Sequence, residues 1–187
     1  MTDKPLLLVV NGPPASGKTT LGEKVAEALA IPIISKDAIK EELYDSIGAV
    51  ARKVTRHLGE TSMRLMYLTA RKTLESGNAI VIEANFNHGI SEADIGRLIP
   101  LCEPLQLHCA APPEELVDRY EDRDDDGDRH PVHEGADGAD ELKDELDDGL
   151  YEPLDLDVPT LEVDTSDGYR PGIEQIVEWI RGRVPSV

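Results

Sequence analysis

A chain of 187 residues, 40% of them apolar, has the length of one domain with a sizeable core, and it contains no apolar run long enough to span a bilayer. Its net charge of -19, from 38 acidic against 19 basic residues, argues against the basic stripe that polynucleotide binding uses and suits a small neutral or cationic partner. The first apolar run meets Gly-Pro-Pro too soon for a signal peptide, which points to a cytoplasmic protein, and Cys102 and Cys109 fit no metal or redox spacing and read as reduced core thiols.

Leu6 to Val10 is a continuous apolar run of strand length, as a parallel strand covered on both faces requires. It passes into Gly12-Pro13-Pro14-Ala15-Ser16-Gly17-Lys18-Thr19-Thr20, which is G-x-x-x-x-G-K-[ST] between a strand and a helix-forming stretch. A triphosphate needs several N–H donors converging in one concave loop, and glycine lets the backbone turn that tightly and approach that closely. Residues Gly12 to Thr20 are therefore expected to bind a nucleotide. Lys18 would reach the β and γ phosphates, Thr19 would offer its hydroxyl to Mg²⁺, and the helix over residues 18–30 would aim its positive end at the phosphates. A turn without a ligand is the competing reading, and it leaves the coincidence of strand, spacing and Lys-Thr pair unexplained.

A second short strand is predicted over Ile31 to Ile34 and a helix from Asp37 to about Tyr44. Asp37 can act as a helix cap, worth about 1 kcal/mol. It also stands at the carboxyl end of a strand beside the phosphate loop, where ligands bind in open α/β sheets and where a carboxylate can take the proton of an attacking hydroxyl. One residue can do both. Ala49 to Ser76 reads as mostly helical with a possible break at Gly59, and its spread basic residues read as surface, with Arg52 or Arg56 as candidates for facing the acceptor. Ala79 to Ile82 then runs into Glu83, the pattern of a Walker B strand whose carboxylate holds Mg²⁺, and Asn85 and Asn87 behind it are placed to orient an acceptor hydroxyl.

A short helix is expected over residues 91–99 and a fourth strand over Leu105 to Cys109. Pro112-Pro113-Glu114-Glu115 starts another helix, with proline in its first turn and acids near its positive end. From Glu114 to Asp157 the chain holds 20 acidic residues against four basic ones, three of which are Arg119, Arg123 and Arg129. A solvated acidic surface with local Arg-to-Asp pairs is one account of this stretch. A mobile lid over residues 114–150 that brings Arg123 and Arg129 to the γ phosphate, with Arg123 also touching the nucleotide, accounts for the arginines as well; such an arginine is worth about 10³ to 10⁵ in rate. His130 and His133 are candidates for substrate contact rather than zinc ligands, because no cysteine or third histidine lies near. A weak helix over residues 139–150, a fifth strand over Thr160 to Val163 and a closing helix over residues 172–183 complete the chain, with Thr165 or Ser166 expected at the nucleotide base.

The phosphate loop, Asp37, the strand ending in Glu83 and the arginine-bearing stretch together resemble the AAA-type group of small P-loop kinases, which includes the polynucleotide kinase domain, chloramphenicol phosphotransferase and, more distantly, zeta-toxin kinases. The resemblance implies one domain over residues 1–187, an α/β three-layer P-loop NTPase fold with a five-stranded parallel sheet between helices, and Mg-ATP as donor to a hydroxyl acceptor. It implies Asp37 as the base, since relatives carry an Asp just after the second strand, and it matches a lid pattern in Arg123, Arg129, His130, Pro131 and His133. The relatives commonly end the third strand in Asp where this chain has Glu83. The expected activity is phosphoryl transfer to a small hydroxylated molecule by a monomer or homodimer, without membrane or nucleic-acid partners. The alternatives are a nucleotide-dependent switch or accessory ATPase acting through a protein partner, and a polynucleotide 5'-hydroxyl or zeta-toxin-like kinase.

Overall fold

Six consecutive buried residues, Leu6–Asn11, form strand β1 at the centre of a five-stranded sheet. The computed structural model describes residues 4–48, 52–125, 130–133, 138–185 and 187. Strands β2 (Ile33–Ser35), β3 (Ile80–Glu83), β4 (Glu103–Ala110) and β5 (Thr160–Asp164) complete the sheet in the order β2-β3-β1-β4-β5, with every pair parallel. Parallel pairing forces each connection to cross a face of the sheet, and helices do so on both sides. The expected five-stranded, three-layer architecture is the one observed.

The alternation of β1 divides the core. Leu6, Leu8 and Val10 pack with Leu21 and Val25 of α1 (Lys18–Leu29) and with Ile176 and Ile180 of α7 (Ile173–Arg181). Leu7 and Val9 face the opposite layer, against Met66, Ala70 and Leu74 of α3 (Arg52–Glu75), Ile95 of α4 (Glu92–Ile95) and Phe86. Helix α2 (Lys36–Ile47) follows β2 and packs on α3. A third, smaller cluster joins Tyr120 of α5 (Pro113–Asp125) to Leu142 of α6 (Ala139–Asp147) and to Tyr151, with Ala15 of the phosphate loop packed against it.

Several boundaries differ from the sequence expectation. Gly59 does not interrupt α3, because Leu58, Ser62, Met66, Ala70 and Leu74 recur every fourth residue as one buried stripe. Burial along that stripe outweighs the cost of roughly 1 kcal/mol for a glycine inside a helix. The stretch at 91–99 forms only the single turn α4 and then a tight 3-10 turn at Ile99–Leu101, where Pro100 has no N–H to continue an α-helix. Strand β2 starts at Ile33 rather than Ile31, since Ala30 takes a left-handed conformation at φ 55° to end α1 and the chain straightens only past Pro32. Helix α6 stops at Asp147, and Gly149 at φ 73° turns the chain out. Among the described residues no helix is long and apolar enough to cross a membrane.

Candidate nucleotide and acceptor site

The loop between β1 and α1 bends back over the sheet edge at Gly12, whose φ of 146° excludes most side chains and whose Cβ, if present, would stand 2.5 Å from the Cys109 carbonyl oxygen. Gly17 at φ 73° caps α1, so the first amides of the helix turn toward the loop. Lys18 is only 6% exposed and its Nζ donates to the Pro13 carbonyl at 3.2 Å, so its ammonium lies folded across the loop that it belongs to.

Register fixes what faces this loop. Val10 pairs with Glu83, so the last residue of β3 lies level with the last apolar residue of β1. Glu83 is 1% exposed; its Oε1 accepts a hydrogen bond from Thr19 Oγ1 at 3.2 Å and lies 4.0 Å from Lys18 Nζ. Its Oε2 is buried with no hydrogen-bond partner. A hydroxyl and a carboxylate with one oxygen unsatisfied form a hard-oxygen donor set, and these residues fit Mg²⁺.

Asp37 enters from the neighbouring strand. Ser35 pairs with Glu83, which puts the first turn of α2 beside the end of β3. Asp37 is the second residue of α2, a first-turn acid rather than the cap residue, and its Oδ1 accepts from Lys36 Nζ at 2.7 Å. Asp37, Lys18, Thr19 and Asn85 all line one cleft of about 1250 Å³. The two asparagines thus part company: Asn87 instead heads the turn into α4, its N–H donating to Ser91 Oγ at 2.9 Å.

Further lining comes from α5, α6, His130 and Tyr151. Arg119 Nη2 donates to the Thr165 and Ser166 carbonyls at 2.7 and 2.9 Å and pairs with Glu115, so it joins α5 to the loop after β5 while lining the cleft. Tyr169, farther along that loop, donates to the Gly17 carbonyl at 3.3 Å. Tyr151 donates to Glu145 at 2.5 Å within this lining. His130 lines the cleft too; its Nδ1 accepts the Val132 N–H, which leaves the proton on Nε2, 3.2 Å from Asp45 Oδ1. Lys40 Nζ reaches the Val132 carbonyl at 3.4 Å, so α2 and residues 130–133 hold each other. Thr165 is 6% exposed and its hydroxyl donates to the Ala110 carbonyl at 3.1 Å, fastening β5 to β4, and it is not among the residues that line the cleft. The side chains of Arg52, Arg123 and His133, and the whole of Arg129, lie outside the described residues, whereas Arg56 is exposed on α3.

Sequence reasoning ranked Arg123 and Arg129 ahead of Arg119, although Glu115 one turn earlier was a signal that Arg119 is held in place. It passed over Lys36 and Lys40, one turn apart on α2 beside Asp37, and it had no signal for Tyr151.

A family model described as an AAA domain matches residues 7–140. The fold is similar to that of a candidate kinase from Chloroflexus aurantiacus at 33% identity and a TM-score of 0.85, with 97% of this chain and 99% of that one covered. It also resembles Kti12 of Chaetomium thermophilum in complex with ADP-AlF3, at 18% identity and a TM-score of 0.65 over 96% and 99% of the two chains. Shikimate kinase from Acinetobacter baumannii in complex with shikimate shares 21% identity and a TM-score of 0.57 over 97% and 94%. Among curated proteins there is no significant match.

Proposed function

The chain belongs to the AAA-domain family as a small P-loop kinase, and from that premise we propose that it moves the γ-phosphoryl group of Mg-ATP to a hydroxyl of a small acceptor. The observation that supports the proposal is Asp37 lining the same cleft as Lys18 and Thr19, which brings a carboxylate to the space beside the phosphate loop. The similarity to solved kinases agrees with it.

In this reading backbone N–H groups of Ala15 to Thr20 hold the phosphate chain, and Lys18 exchanges the Pro13 carbonyl for phosphate oxygens. Thr19 and Glu83 would hold Mg²⁺, which when bound supplies positive charge against the β and γ oxygens. Asp37 accepts the proton of the acceptor hydroxyl as that oxygen bonds to the γ phosphorus and the bond to the β–γ bridging oxygen breaks, releasing ADP. Lys36 donates to Asp37 Oδ1 at 2.7 Å and so helps to hold the carboxylate in place. Residues 114–150 act as the lid, with Arg123 and Arg129 meeting the migrating phosphoryl group and Arg119 fixing the wall at the base end.

ADP release measured with and without a panel of sugars, nucleosides and hydroxylated antibiotics tests the reading. Acceptor-dependent turnover that falls by about 10² or more in Asp37→Ala, with nucleotide binding retained, is the expected outcome. Turnover indifferent both to every acceptor and to Asp37 would indicate a switch or accessory ATPase and would overturn it.

A further inference from the structure

Asn85 brings an unspent polar atom to the cleft. Among the described residues its buried Oδ1 has no hydrogen-bond partner, although the residue lines the cleft. Buried polar atoms are nearly always paired, and the exceptions gather where a ligand or ordered water completes them. The location is informative as well. Ser35 and Glu83 are paired across β2 and β3, and Asp37 and Asn85 each follow two residues beyond them and line the same cleft.

Resting on the phosphotransfer reading, we infer that the acceptor carries at least two hydroxyl groups, one that Asp37 deprotonates and a second that the Asn85 amide recognises. A hydroxyl both donates and accepts, so it complements either end of an amide, whichever end faces it. Ser35, Lys36 and Lys40 bring further polar groups to the same cleft. A lining of that kind suits a small polyol or saccharide. An alcohol with a single hydroxyl would leave the buried Asn85 Oδ1 without that partner, and a site built for a hydroxyl rejects the analogue that lacks it.

The test is ADP release by the full chain with Mg-ATP and, in turn, myo-inositol, D-glucose, trans-1,2-cyclohexanediol and cyclohexanol, in the wild type, Asn85→Ala and Asn85→Ser. The expected result is kcat/KM roughly tenfold or more higher for the best polyol than for cyclohexanol in the wild type. That margin shrinks to under about threefold in Asn85→Ala and is partly restored by Asn85→Ser, which returns one donor and acceptor. A merely structural residue would scale all the alcohols together. Equal use of cyclohexanol by the wild type, or a margin that survives in Asn85→Ala, overturns the inference and leaves the kinase reading standing. ATP hydrolysis indifferent to these four alcohols, to every acceptor of the wider panel and to Asp37→Ala overturns both.

Discussion

Glu83 combines two demands that act in opposite directions on one side chain. It is a carboxylate buried to 1% exposure, with a hydroxyl and an ammonium beside one oxygen and nothing beside the other. Such burial costs stability, and on the proposed reading Mg²⁺ at this carboxylate would offset it. Glu83→Gln keeps the shape and removes the charge, so the Mg²⁺ concentration for half-maximal turnover should rise about tenfold or more, while the melting temperature without nucleotide stays level or rises. His108 makes a second prediction. It is 6% exposed on β4, its Nδ1 has no partner, and burial lowers its pKa despite an opposing pull from Glu152. Between the lowered folded value and the unfolded value of about 6.5, the unfolded chain binds more protons than the folded one. Stability therefore falls as pH drops below about 6.5, and melting curves from pH 7.5 to 5.5 should show a decline that His108→Gln flattens. Cys109, pushed up to about 12 by burial, should stay unlabelled by thiol reagents at neutral pH until the protein unfolds.

At the scale of elements, two glycines give opposite expectations. A Cβ at Gly59 would meet nothing within 4 Å in the middle of α3, so Gly59→Ala should stabilise the protein by about 1 kcal/mol, read as an increase of roughly 2–4 °C in melting temperature. Gly12→Ala would drive a methyl into the Cys109 carbonyl at an unfavourable φ, and a loss of about 2–4 kcal/mol is expected in urea unfolding. What was legible in the sequence follows from the same distinction between local and distant causes. The phosphate loop, α1 and the strand ending in Glu83 announce themselves because loop chemistry and apolar patterning are written within a few consecutive residues. The length of α3 was misjudged at Gly59 because the stripe that keeps it continuous pays off only against another layer of the fold. The anchoring of Arg119 was not legible locally because its acceptors, the Thr165 and Ser166 carbonyls, come from a loop after β5. Asn85 and Asn87 look alike in sequence and are separated by a turn that delivers one to the cleft and the other to α4.

Taken as a whole, the molecule is strongly anionic, with 20 of its 38 acidic residues between Glu114 and Asp157. Like charges held close in the folded state repel more than in the expanded chain, and dissolved salt screens that repulsion over roughly 10 Å at 0.1 M. The melting temperature should therefore rise by several degrees between about 0.05 and 0.5 M NaCl, as scanning calorimetry can measure. Replacing four of the exposed acids on α5 and α6, such as Glu121, Asp122, Asp140 and Asp144, with the corresponding amides should lessen the salt dependence. Loss of nucleotide-dependent turnover in that variant would instead mean that the charge serves the site.

The strand order also sets a timetable for synthesis. Leu8 of β1 pairs with Val81 and Leu105, whereas β2, the next strand to leave the ribosome, belongs beyond β3 at the sheet edge. The most apolar strand is therefore made first and waits for about seventy further residues before its first neighbour exists, and for about a hundred before it is enclosed. Loop closure over such spans slows folding, and an apolar strand kept waiting is open to wrong partners. In nascent-chain truncations, amides of Leu6–Asn11 should exchange freely in chains ending near residue 75 and become strongly protected only once β4 is complete, so the nucleotide loop attached to that strand matures late although it precedes both of the strands that enclose it.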